Sequence, residues 1–395
     1  MSIFVVAGMV ETIGFGQLGA FTPLYLQRQL HVAAADVPRL TGILASLSFV
    51  IGLPLAPFWG VWADKYSRKL IIVRSAAVEA LLFGAVGLSH SVWQFALARA
   101  AVGFVLGNSG VMLAAQSSVT PRNRLGLAMG LVGGGGALGI AVGPVLGGLL
   151  LGRTGFTTLF LIDAALSALS AALIVAVYHE DPWRPRSAEP VGRMVRDAAR
   201  DIVLVPWVRA LFAAYFVLLF SIFVLRPFVP IFIAQLYSAG THFGTLPTAI
   251  GLIVTLGALA QGVFAAFWGR LGDAVGFYRA FIVAVAGAAI FLLLQATSAS
   301  LDQLLAFAVG VGLFQAAYQA LFSSILAERI PEARRTSVLN LVFIPFYFAG
   351  LIAPGIGTAL YFVGLRNLFR VSAVIALAAL ALLVQSHRTL TRPTV

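Results

Sequence analysis

The sequence has no cysteine, which excludes a disulfide framework, thiolate nucleophiles and Cys-bound metal. Charge is nearly as scarce: charged residues are 10% of 395, against about a quarter in a soluble domain. Lysine occurs only at Lys65 and Lys69. The five histidines, His31, His90, His179, His242 and His387, are scattered at the ends of apolar runs with no metal-ligand spacing. No glycine-rich loop carries the lysine that cradles a nucleotide phosphate. These absences argue against metal-assisted chemistry and ATP hydrolysis, so no enzyme, no metal and no cofactor are expected. The first apolar run begins almost at Met1 without a basic leader, so a cleavable signal peptide is not expected.

What remains is apolar. Hydrophobic residues make up 60% of the chain and mean hydropathy is +0.98, values that fit a polytopic membrane protein. A spanning helix needs about 20 apolar residues to cross about 30 Å of hydrocarbon. That ruler predicts twelve spans: 3–27, 41–63, 70–89, 92–116, 126–152, 156–178, 209–236, 247–271, 279–297, 303–326, 336–362 and 367–385. Of the 26 Lys/Arg, 19 fall on one side of these spans, 5 on the other, and Arg99 and Arg226 lie inside apolar runs. The +12 net charge is therefore a positive-inside bias, not a nucleic-acid patch, and both termini are expected in the cytoplasm. Sparse lysine with abundant Ala, Gly and Arg suits a GC-rich bacterial source, hence an inner membrane.

The chain reads as two six-span halves, 1–178 and 209–395, joined by a polar connection over 179–208. Phe58-Trp59-Gly60-x-x-x-Asp64 recurs as Phe267-Trp268-Gly269-x-x-x-Asp273. Pro23 in the first span parallels Pro230 in the seventh. Gly143-Pro144-x-x-Gly147 parallels Ala353-Pro354-x-x-Gly357. Offsets of 207 to 210 across these landmarks point to an internal duplication, a recurring transporter design with its site near mid-bilayer. In the connection, Val191, Met194, Val195, Ala198 and Ile202 repeat at helical spacing opposite Arg193, Arg196, Asp197, Arg200 and Asp201. Two readings stand there: an amphipathic helix on the anionic leaflet, or a disordered linker.

The loop Gly60-Val-Trp-Ala-Asp64-Lys65-Tyr-Ser-Arg68-Lys69 resembles the loop signature of the major facilitator superfamily, with Trp62 for the usual Leu and Ser67 for the second Gly. The resemblance covers essentially the whole chain and implies an all-α fold of twelve transmembrane helices in two pseudo-symmetric six-helix bundles. It also implies that Asp64 latches one conformational state against a helix dipole, with Asp273 as its echo in the second half. Topology-setting by Lys65, Arg68 and Lys69 is the second reading. Between Gly130 and Gly148 there are nine glycines, with Gly139-x-x-x-Gly143-Pro144-x-x-Gly147 among them. This is similar to the antiporter signature of the twelve-helix drug:proton exporters. Close packing by small residues and a bend at Pro144 suit a rocking seam between the halves, and a plain packing face is the other reading.

Arg99-x-x-x-Gly103-x-x-x-Gly107 is similar to the family motif whose buried arginine is tied to proton handling. Glu11, on the stripe Glu11, Phe15, Leu18, Thr22, is its natural counter-ion. Burial favours the neutral acid and a nearby guanidinium favours the carboxylate, so Glu11 can take and release a proton, unless it is a static helix–helix pairing. One proton entering down ~100 mV releases about 2.3 kcal/mol, enough for a roughly 50-fold substrate gradient. Glu79 and Asp163 lie on spans that are peripheral in this architecture and read as local pairings. Candidate substrate contacts are aromatic and amide side chains of the inner spans: Phe15, Asn108, Phe220, Phe223, Arg226, Gln261, Gln315, Tyr318, Gln319, Asn340, Phe343 and Tyr347. Large aromatic area with few polar groups suits lipophilic or amphipathic compounds.

The expectation is a secondary transporter that exchanges such compounds for protons, a monomer in the lipid bilayer driven by the proton gradient. Export of a specific sugar, lipid or metabolite, or a non-transporting sensor, are the alternatives.

Overall fold

The computed structural model describes residues 3–105, 108–121, 125–180, 206–329 and 343–391. Helices account for nearly all of them, and no strand occurs among the described residues. In chain order they are α1 (Ile3–Arg28), α2 (Val37–Lys65), α3 (Arg68–Gly87), α4 (Val92–Ala101), α5 (Asn108–Val119) and α6 (Leu125–Val177). The second half holds α7 (Pro206–Leu225), α8 (Val229–Leu236), α9 (Leu246–Val275), α10 (Phe277–Thr297), α11 (Leu301–Gln315), α12 (Ala317–Arg329), α13 (Phe343–Leu360) and α14 (Leu365–Thr391).

The correspondence with the predicted spans is close, and the differences have local causes. The fourth span is broken by a 3-10 turn over Val102–Phe104, so it appears as α4 and α5. The fifth and sixth run on as α6, interrupted at Gly155, whose φ of 77° and ψ of 171° turn the chain. Few side chains tolerate that conformation, and glycine does. The seventh span is divided by Arg226–Phe228, where Pro227 removes a helical donor. The eleventh is described from Phe343, and the connection over 181–205 lies outside the described residues, with its predicted surface helix.

The chain forms two compact units. Unit 1 comprises Met1–Glu189 with Tyr237–Thr255, and unit 2 comprises Pro190–Leu236 with Leu256–Val395. In unit 1, α6 packs along α1 and along α3. Its glycines let the backbones approach: a Cβ on Gly135 would sit 2.8 Å from the Val5 carbonyl oxygen, and one on Gly139 or Gly143 would collide with the carbonyl oxygen of Met9 or Ile13. Gly147 receives Gln17 and Phe21. A glycine every fourth residue therefore aligns as one face against α1, the helical neighbour spacing.

In unit 2, α14 packs on α7 and α10, and α13 packs on α7. Gly357 receives Val224 and Phe228, which lie 207 residues beyond Gln17 and Phe21. The N-terminus of α4 is capped by Ser91, which accepts from the Gln94 N–H, and that of α11 by Ser300, which accepts from Gln303. Gln94 and Gln303 reach back to the N–H of His90 and Ala299, each at 2.8 Å. These reciprocal caps sit 209 residues apart. The turn glycines Gly155 and Gly364, both at positive φ, have the same offset. The duplication is a property of packing and capping, not of sequence alone.

Candidate functional site

The polar interior of unit 1 gathers on α1, α3, α5 and α6. Glu11, on an otherwise uncharged face of α1, is buried and accepts a 2.9 Å hydrogen bond from Asn108 Nδ2. Asn108 opens α5 just beyond the break that follows α4, so the break turns it towards α1. Glu79 of α3 is buried within electrostatic reach of both Glu11 and Asp163, and Ser167 lies alongside it. Asp163 and Ser167 are one helical turn apart on α6. One turn further along, Phe83 of α3 stacks on Phe160 of α6 at 6.3 Å and 7° between ring planes. Phe83 also fills the room left by Gly14 and touches Phe15 at 5.6 Å. An aromatic layer thus lies directly against the three acids.

Arg99 does not join this group. It is buried, but its Nε donates to the Leu44 carbonyl of α2 at 3.3 Å, and no ion pair links it to Glu11 among the described residues. The expected Glu11–Arg99 pairing is corrected on that ground. α4 packs on α2, which takes Arg99, and Asn108, beyond the 3-10 turn, gives Glu11 an amide partner instead. Glu79 and Asp163, expected as peripheral pairings, are both buried, and Glu79 is within electrostatic reach of Glu11 and of Asp163, with α1 and α3 both packed against α6.

The glycine face has a neighbour different from the one expected. Gly139, Gly143 and Gly147 meet α1, so this face holds unit 1 together. Another face of α6 meets the start of α9: Gly148 abuts Pro247 and Thr248, and Gly251 abuts the Pro144 carbonyl. Thr255 Oγ1 accepts from the Val145 N–H at 3.2 Å, beside the carbonyl that Gly251 approaches.

At the signature loop, Gly60 lies in α2 and Asp64 and Lys65 end it, with the Asp64 and Lys65 side chains outside the described part. Arg68 and Lys69 start α3, and their backbone N–H groups donate to the Glu180 carboxylate at 2.9 and 3.2 Å. Ser67 donates its hydroxyl to the same group, and Lys69 Nζ reaches the Val175 carbonyl at 2.8 Å. Glu180 thereby satisfies the open donors at a helix N-terminus and complements its dipole. The sequence reading missed Glu180, since it stands just past the end of an apolar run. Asp273 is exposed on the last turn of α9.

In unit 2 the candidate substrate contacts divide. Phe223 is buried edge-on to Phe346 at 5.0 Å, Tyr347 is buried beside Phe346, and Phe220 is half-buried against Phe216. Tyr318 is buried near Phe281, with its hydroxyl unmatched. Gln315 is half-buried. Gln261 and Gln319 are exposed, as is Arg226, which sits in the 3-10 turn inside the apolar segment Pro206–Leu236. Asn340 and the Phe343 side chain lie outside the described residues. No group of three or more His, Cys, Asp or Glu able to hold a metal occurs among the described residues.

Two compact helical units with apolar helices and a duplicated cap-and-turn pattern define a class, and the comparisons identify it. The sequence matches the Major Facilitator Superfamily over residues 3–241 and 211–394, and the chain belongs to that family. It is 31% identical over 276 residues to a multi-drug resistance efflux pump PmrA homolog of Lactococcus lactis subsp. lactis, covering 68% of this chain and 65% of that protein. The match therefore spans just under two thirds of that relative's length. It is 27% identical over 346 residues to the multi-drug resistance efflux pump PmrA of Streptococcus pneumoniae serotype 4, covering 86% and 83% of the two chains. Among solved structures, the nucleoside transporter NupG superposes with a TM-score of 0.80 at 12% identity, over 98% of this chain and all of that one. At that identity the likeness is one of fold. All of these relatives and neighbours bear the names of pumps and transporters, none that of an enzyme.

Proposed function

We propose that the chain is a secondary active transporter that exports lipophilic or amphipathic compounds in exchange for protons, by alternating access. The observation that carries this reading is Glu11, a carboxyl at membrane depth held by the neutral donor Asn108 instead of a cation. An ionisable group in a bilayer is costly and marks a coupling path more often than a structural one. A partner that does not fix its charge leaves it free to exchange a proton. The drug-efflux names of the relatives support the substrate class, as do the clustered aromatics of α7 and α13. The proton gradient is the energy source, with no cofactor.

In this reading the protein is a monomer in a bacterial inner membrane with both termini cytoplasmic, and Asp64 and Asp273 serve as conformational latches. The test is flux in proteoliposomes under an imposed pH gradient, with a lipophilic cation, a neutral amphiphile and an anion as probes. Gradient-driven movement of the cation or the neutral compound is expected. Movement of none of the three, or movement without a gradient dependence, would overturn it.

A further inference from the structure

We propose that Glu11, Glu79 and Asp163 form one proton-holding site in unit 1, in which Glu79 and Asp163 store a proton and Glu79 passes it to Glu11. This deepens the antiport reading and rests on it for its purpose, though the site itself is measurable without any flux.

The geometry is that of three carboxyl groups on three different helices. Glu79 is within electrostatic reach of the other two, at 2% exposure, with Asp163 at 4%. Among the described residues, the charges that act on Glu79 are those of the other two acids, and no cation is among them. Arg99 of α4 is turned to the Leu44 carbonyl. Arg74, one turn along α3, donates to Ser75 Oγ and to the Phe104 carbonyl. The faces contributed by α1, α5 and α6 add Glu11, Asn108, Asp163 and Ser167 and no basic group. A charged Glu79 would be repelled by both other carboxylates in a buried setting with the stacked Phe83 and Phe160 one turn away. Carboxyls in such a position share protons and titrate as a set.

A second observation points to the occupant. Asp163 Oδ2 and Asn108 Oδ1, the latter on the amide that already donates to Glu11, are buried acceptors without a hydrogen-bond donor, and Glu79 Oε1 has none beyond the neighbouring Ser167 hydroxyl. Asn108 is 4% exposed and Asp163 equally little, so bulk solvent does not reach these side chains. Buried acceptors without donors are rare in folded proteins. What this cluster lacks is hydrogens, and a proton on a carboxyl oxygen supplies one. The set does not constitute a metal-ligand group.

Unit 2 provides the internal control. The equivalents are Leu218 for Glu11, 207 residues on, Ala288 for Glu79, 209 on, and Ser372 for Asp163, also 209 on. All three are fully buried or nearly so, and Ser372 spends its hydroxyl on the Ser221 carbonyl at 2.7 Å. The same packing is therefore built without acids, and their presence in unit 1 is not a requirement of the fold. In the transfer step, the Glu79 O–H bond breaks as a Glu11 O–H bond forms, and the negative charge moves from Glu11 to Glu79. No other reactant is involved.

The test is infrared difference spectroscopy of purified protein in nanodiscs across a pH series, in H2O and D2O and without substrate. The expected result is a protonated-carboxyl band at neutral pH that shifts in D2O and is indifferent to sodium. Glu79→Gln and Asp163→Asn should each remove it, and the double variant should remove no more than either alone. Glu79→Ala with Asp163→Ser, which installs the residues of unit 2, is the folding control. No such band in the wild-type protein, a band untouched by both variants, or a titration that moves with sodium would overturn the proposal. A band behaving as expected without gradient-driven flux would leave the site standing and defeat the antiport reading. Flux without the band would do the reverse.

Discussion

Units 1 and 2 solve the same packing problem with different interiors. Both bring a glycine of the fifth or eleventh span onto the first or seventh, Gly147 onto Gln17 and Phe21, Gly357 onto Val224 and Phe228. Each caps a helix with a Ser and a reciprocating Gln. At the level of Glu11, however, unit 1 buries three acids and an amide, whereas unit 2 buries Leu218, Ala288 and Ser372 with Ala317 in place of Asn108. What the halves share is what the fold needs. What only one of them has is where function is to be sought.

The largest effects should come from breaking the close helix approaches that both units use. Gly143→Ala and Gly357→Ala each put a Cβ into a backbone carbonyl, of Ile13 and of Val224. Each should lose about 1–3 kcal/mol by overpacking, and Gly143→Leu considerably more, measured as a fall in thermal unfolding temperature in detergent. Gly134→Ala, where nothing stands within 4 Å, should be neutral. A Gly143→Leu protein as stable as wild type would return the glycine face to a purely dynamic role.

Next comes the exchange of interiors. Glu79→Ala with Asp163→Ser should leave the protein folded, because replacing buried charged groups by well-fitting neutral ones is often neutral or stabilising. Its substrate flux should lose its dependence on pH. Unfolding of that variant, with the single neutral variants intact, would mean that the acids are structural after all.

Smaller effects test the finer symmetry. Ser91→Ala and Ser300→Ala should each cost about 1 kcal/mol by removing a helix cap, equally in the two units. Tyr25→Phe removes a hydrogen bond to the Val86 carbonyl, and its counterpart 207 residues on is already Phe232. A loss of about 1 kcal/mol in thermal stability, with flux unchanged, is expected.

How much of this was legible depends on whether a feature is carried along the chain or around a helix axis. Span lengths and the offset of 207 to 210 residues are linear properties, and they appear at the positions predicted. Glu11 stood out for a similar reason, an acid within an apolar run. The partner of Arg99 did not, since it depends on which face of α4 packs against α2, and Asn108 reaches Glu11 only beyond the 3-10 turn at Val102–Phe104. Gly139 and Gly143 were visible as a packing face, but the helix that meets them is fixed by how α1 lies along α6. Glu79 and Asp163 carried the right signal, acids in apolar spans, and were discounted because their spans are peripheral. Glu180 gave no signal at all, because its role comes from folding back onto the N-terminus of α3.

The central claim is that a buried acid of unit 1 couples transport to protons, and one variant tests it most directly. In proteoliposomes, Glu11→Gln should abolish accumulation of a lipophilic cation driven by a pH gradient while preserving substrate counterflow without a gradient. Gradient-driven accumulation at the wild-type rate in Glu11→Gln would contradict the account.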